Sequence, residues 1–216
     1  MPLLRGNISL REFSVEGDIT PSLRRTFDAT LRRYAFRPIA VEKGETRSMG
    51  WVNPRQVLDD DVSWDKLRVG PWLLLALRQD RVAVNARLFR ARRDLALAEA
   101  AAKAKKTRLS KSERQVVEEQ VRLEMLRRQT PSTQIIEAAW RPDAAAVYVA
   151  AASEAAALAF TEMFGVTFGL TLIPAVAGMR ALRWAEAKEA LDRLKELTPT
   201  VFATRHEERL RKQADV

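Results

Sequence analysis

From about residue 89 to residue 128 this chain has no strand pattern, while apolar residues on both sides recur at strand spacing. A fold for this sequence must therefore close a sheet around a long helical insertion. Residues 89 to 106 are rich in alanine and arginine, both strong helix formers. Ser110-Lys111-Ser112-Glu113 then matches a capping box, in which serine and glutamate satisfy each other's free backbone donors. Val117, Val121, Met125 and Leu126 give the second helix an apolar stripe. The spacing predicts a helical hairpin.

Strand patterns flank it. Asn7–Val15 reads as a first strand, with a bend near Arg11–Glu12 where the parity of its apolar residues changes. Thr20-Pro21 starts a helix that buries Leu23, Phe27, Leu31 and Tyr34 and leaves Arg24, Arg25, Arg32 and Arg33 in solvent. Arg47–Val52, Pro71–Arg78 and Arg81–Leu88 read as strands, the last two joined by a tight turn at Gln79-Asp80. Beyond Pro131, Thr133–Trp140 and Ala145–Ala151 form a hairpin across Arg141-Pro142-Asp143. Ser153 caps a helix to about Phe164, Phe168–Ile173 is a strand, and Arg180–Leu197 is an amphipathic helix stopped by Pro199. Trp51, Trp72 and Trp140 read as core residues. The expected class is α+β: a mixed or antiparallel sheet in two related halves, β-α-β-β-β and β-β-α-β, with an inserted basic helical hairpin and a C-terminal helix. The corresponding segments are 1–88, 89–131, 132–178 and 179–216.

Charge is concentrated on the insertion. Between Arg87 and Arg128 thirteen basic residues stand against six acids, so this stretch holds +7 of the chain's formal +9. Such an uneven distribution creates a field suited to a polyanion. The residues best placed to touch phosphates are Lys105, Lys106, Arg108, Lys111, Arg114 and Arg128, with Arg78 as a strand-borne candidate. Arg24, Arg25, Arg32 and Arg33 form a candidate second patch, which a solvated helix face explains nearly as well.

Catalytic chemistry is thinly represented. There is no cysteine, hence no disulfide, thiolate zinc site or cysteine nucleophile. The single histidine, His206, sits in a polar tail. Asp59-Asp60-Asp61 with Asp65 are adjacent in a loop, where side chains point apart rather than converge on metals. No phosphate-cradling glycine loop is present. The uncharged run Met163–Met179 is too short and too rich in glycine, threonine and proline for a membrane span. No cofactor, metal or membrane is expected.

An ordered set of segments resembles a known family, the RdgC recombination-associated proteins of bacteria. Tyr34-Ala35-Phe36-Arg37-Pro38 ends the first helix as in that family. Ser48-Met49-Gly50-Trp51-Val52-Asn53-Pro54 is similar to its Met-Gly-Trp-Val-Pro-Pro signature. Lys105–Arg114 resembles its basic helix start, Glu119–Arg128 its helix end, and Ile136–Trp140 with Val147–Ser153 the strand pair and turn beyond. The resemblance covers about residues 7 to 176, with no visible counterpart of the family's C-terminal third. It implies a non-catalytic, cytoplasmic and nucleoid-associated homodimer. Such a protein binds double-stranded DNA with little sequence preference and restrains a RecA-type recombinase. Two other classes remain open: an adaptor whose basic hairpin meets an acidic protein, and a metal-dependent nuclease built on the aspartate loop.

Overall fold

The computed structural model describes residues 8–17, 21–59 and 61–198. It divides into two compact units, one ending at Pro174 and one beginning at Ala175. The larger unit is an α+β structure built on one antiparallel sheet of seven strands. The strands are β1 (Arg11–Glu16), β2 (Arg47–Val52), β3 (Arg68–Val69), β4 (Trp72–Arg81), β5 (Ser132–Arg141), β6 (Ala146–Ala150) and β7 (Thr171–Pro174). Their order is β2-β4-β5-β6-β1-β7, and β3 also pairs with β4. The segments expected as two halves thus share one sheet, joined where β4 pairs with β5 from Leu73↔Trp140 to Arg81↔Ser132.

Alternation along the central strands decides which face is filled. Leu73, Leu75 and Leu77 of β4 point the same way as Ile136, Ala138 and Trp140 of β5, and all are buried. Against them pack α1 (Pro21–Arg33), through Phe27 and Leu31, and α5 (Glu154–Phe168), through Phe160, Phe164 and Phe168. Aromatic rings knit this core: Phe27 stacks on Phe168 at 5.3 Å, and Trp140 meets Phe164 edge-on at 5.1 Å. The Trp51 indole N–H donates to Thr167 Oγ1 at 2.9 Å, which satisfies two polar groups inside this layer. A smaller cluster of Phe36, Val52 and Ala76 occupies the other face.

The motif around Gly50 is a crossing point of two chain segments. Phe36 N–H donates to Trp51 O and Trp51 N–H to Tyr34 O, both at 2.9 Å, forming a parallel bridge between Ala35 and Trp51. A Cβ on residue 50 would overlap the Phe36 backbone and lie 2.7 Å from the Ala35 carbonyl carbon. Only glycine fits.

Several local expectations change. Gln79-Asp80 is not a turn and Arg81–Leu88 is not a strand. β4 runs on to Arg81 because β5 pairs with it throughout, while the Asp80 carboxylate is buried against Arg78 and Thr133. Asn85 then caps α3 (Ala86–Lys103), its side chain accepting from the Arg87 and Leu88 amides. α5 continues to Phe168 and ends at Gly169 in the left-handed conformation, so the following strand starts only at Thr171. A short α2 (Trp64–Leu67) precedes β3. Trp72 is half-buried rather than core, lying edge-on to Tyr148 at 5.8 Å. Asn7, the Thr20 cap, Asp60, Pro199 and His206 fall outside the described residues.

In the second unit the single helix expected over Arg180–Leu197 is two, α6 (Ala177–Ala187) and α7 (Leu191–Lys195). The break falls where Glu189 takes a positive φ of 52°. Among the described residues no helix is long and apolar enough to cross a membrane.

Candidate nucleic-acid interface

Between β4 and β5 the chain makes α3, a link over residues 104–110, and α4 (Lys111–Arg127), and the two helices pack on each other. The start of α4 forms as its sequence dictates. Ser110 Oγ accepts from the Glu113 amide at 3.2 Å, and Glu113 returns a carboxylate to the Ser110 amide at 2.7 Å. At the other end of the link α3 closes in a Schellman arrangement. Lys106 N–H bonds to Ala101 O and Lys105 N–H to Ala102 O. Glycine is usual at the left-handed position of this motif; here it is Lys105, with φ of 52°. A residue with a charged side chain stands where conformational preference favours none.

This closed end carries Lys103, Lys105, Lys106, Arg108, Lys111 and Arg114, all exposed, and between positions 103 and 114 the one acid is Glu113. Lys106 Nζ pairs with Glu113 at 2.6 Å. That bond, helped by the Ser110 donors, pulls the Glu113 carboxyl down to about 2. Among the described residues, the side chains of the other five have no carboxylate within ion-pair distance. Exposed cations this close in the chain, five of them without a carboxylate partner, form an anion-attracting surface.

At the opposite end of α4, Val121, Met125 and Leu126 are buried, and Arg127 reaches Glu42 at 3.2 Å. These anchor the pair near the 3-10 turn Val41–Lys43. By contrast, α3 buries no residue completely and exposes Leu88 and Leu95. Arg122 lies 4.9 Å from the Phe89 ring centroid and ties α4 to α3 through a cation–π contact.

The residues singled out from sequence therefore separate. Lys105, Lys106, Arg108, Lys111 and Arg114 come together. Arg128 lies at the far end of α4, paired with Glu124 at 2.8 Å one turn earlier. Arg78 is on the sheet: its guanidinium grips Asp80 in two bonds of 2.9 and 2.7 Å and lies 4.2 Å from the Phe36 ring centroid. Burial raises the Asp80 carboxyl, yet bonds from Arg78 and Thr133 outweigh it and leave the value below the ordinary range. Arg24, Arg25, Arg32 and Arg33 are exposed on α1, with Arg24 over the Trp64 ring at 4.5 Å. Sequence reasoning passed over Lys103, at the last turn of α3, and Arg47 and Arg81, which face each other across β2 and β4. The density of lysine near 103–106 was a usable signal for the first. The other two needed the register.

Two aspartates of the loop, Asp59 and Asp61, are engaged by neighbouring groups. Asp59 accepts from the Asn53 amide group at 3.0 Å and from Asp61 N–H at 2.9 Å, and Lys66 engages both Asp59 and Asp61. Among the described residues no group of three acids or histidines converges as a metal site.

A seven-stranded antiparallel sheet, filled by two helices on one face and interrupted by a basic helical pair, defines an α+β protein with an exposed cationic projection. The family described as "Putative exonuclease, RdgC" matches residues 9–185, and the chain belongs to the RdgC family. Membership gives it a recombination-related setting. No curated protein matches the chain.

Proposed function

We propose that this protein binds double-stranded DNA through the α3–α4 hairpin, without sequence preference and without cutting it, and thereby limits the access of a RecA-type recombinase. The observation that carries the reading is the closed end of the hairpin, where six exposed cations and one acid lie between Lys103 and Arg114. Lys103, Lys105, Arg108, Lys111 and Arg114 make the first phosphate contacts and displace condensed counterions. Lys106 and Arg128 contribute only in competition with Glu113 and Glu124. Arg78, held by Asp80, supports the sheet rather than the DNA. Contacts of this kind position a protein on the backbone and carry no sequence information. Family membership supports the recombination setting; a homodimer at the nucleoid belongs to the same proposal.

The family's description as a "Putative exonuclease" makes nuclease activity the second reading. The engaged state of Asp59 and Asp61 favours a loop-stabilising role for them. Electrophoretic shift of several unrelated duplexes tests the main reading. Lys111→Ala with Arg114→Ala weakens binding to all of them equally, and the full-length duplex survives incubation with magnesium. Selective loss on one sequence contradicts backbone binding, and shortening of the DNA contradicts a non-catalytic role.

A further inference from the structure

A second cationic arrangement lies at the foot of α4. Arg47 of β2 and Arg81 of β4 are directly opposite in the register, so two guanidinium groups leave neighbouring strands on the same face. Like charges placed opposite each other destabilise a sheet, and both side chains are exposed. Among the described residues neither has a carboxylate within ion-pair distance. They line, with Thr46 and Arg122, a groove of about 360 Å³ whose single acid is Glu119. Glu119 approaches Arg122 no closer than 3.8 Å, too far for a strong bond. Arg122 meanwhile rests on Phe89, which limits its freedom before any ligand arrives.

Three guanidinium groups around one recess, one of them held in place, match the forked geometry that binds a phosphate through paired N–H donors. We propose that the Arg47–Arg81–Arg122 groove is a phosphate seat, filled by a phosphodiester when DNA lies along the hairpin. The natural occupant rests on the DNA-binding reading; the affinity for phosphate itself does not. Arg122 is eleven residues beyond Lys111, about 16 Å along the helix axis. That is roughly half a turn of B-form duplex, so one DNA segment reaches both the hairpin tip and the groove. The repulsion between Arg47 and Arg81 is then relieved by the bound anion.

Two measurements on the full chain separate the possibilities. The first is thermal unfolding in inorganic phosphate against chloride at matched ionic strength. Phosphate raises the wild-type midpoint by more than those of Arg81→Gln and Arg47→Gln, which keep only the general stabilisation by an excluded anion. In chloride Arg81→Gln is at least as stable as wild type, because a like-charge pair has been removed. The second is duplex binding, where Arg81→Gln lowers affinity about five-fold on every sequence and reduces the salt slope by about one. Equal stabilisation of wild type and Arg81→Gln by phosphate overturns the seat, as does absence of stabilisation. If the Lys111/Arg114 double variant loses DNA while Arg81→Gln binds normally and phosphate has no effect, the seat fails and the hairpin reading stands. If wild type ignores DNA yet gains stability from phosphate through Arg81, the seat holds a small phosphate and the DNA reading fails.

Discussion

Two residues have roles that oppose their intrinsic preferences. Gly50 is required because the backbones of residues 35–36 and 50–51 touch. Gly50→Ala forces them apart and lowers stability on the order of 3 kcal/mol, measurable by urea unfolding. Glu113 has the opposite character: it is an acid at the centre of a cationic surface. Its carboxyl is held at about 2, against an ordinary value of 4.5, by Lys106 and the Ser110 donors. A lowered folded value means its contribution is present above 4.5 and is lost as pH falls from there towards 2. Resistance to unfolding, followed by circular dichroism, therefore differs between wild type and Glu113→Gln at neutral pH and converges in acid. The same substitution releases Lys106, so it weakens the start of α4 while tightening DNA binding. A structural residue alone would not produce opposite signs in those two assays.

The start and end signals of elements determine how the insertion is presented. Ser110 and Glu113 close α4, and the left-handed Lys105 closes α3, so the tip is a turn with two defined ends. Ser110→Ala costs about 1 kcal/mol of helix stability, checked by thermal unfolding, and loosens the spacing between Arg108 and Lys111. Much at this scale was legible from residues alone. The capping box, the apolar stripe Val121–Met125–Leu126, the β5–β6 hairpin and the burial of Phe27 and Leu31 follow from local spacing. Misreadings arose where tertiary partners outweighed local chemistry. Gln79-Asp80 resembles a turn, but β5 pairs alongside it and Arg78 with Thr133 satisfies the Asp80 carboxylate. Asn85 is a good cap whose meaning depends on where β4 stops. Phe164 to Phe168 continues a helix because both rings find the core beside Trp140. The opposition of Arg47 and Arg81 was invisible for a related reason: 34 positions separate them and only the sheet register brings them together.

At the scale of the larger unit, one sheet carries the stability and the inserted helices carry the charge. Its central strands are filled on one face by α1 and α5, while α3 contributes no completely buried side chain. Changes on the exposed surface of α3 and α4 therefore alter binding with little effect on folding, whereas core changes do the reverse. Trp140→Ala, which removes a ring packed on Phe164 and Phe168, costs about 3–5 kcal/mol. Lys111→Ala with Arg114→Ala leaves the unfolding midpoint within a degree or two of wild type, since both side chains are exposed. The most direct test of polyanion binding by the hairpin is the salt dependence of duplex DNA affinity for the wild-type chain. Five tip cations neutralising five phosphates give log K a slope of about −4 to −5 against log salt concentration. An affinity indifferent to salt between low and physiological ionic strength, or no binding at all, contradicts the account.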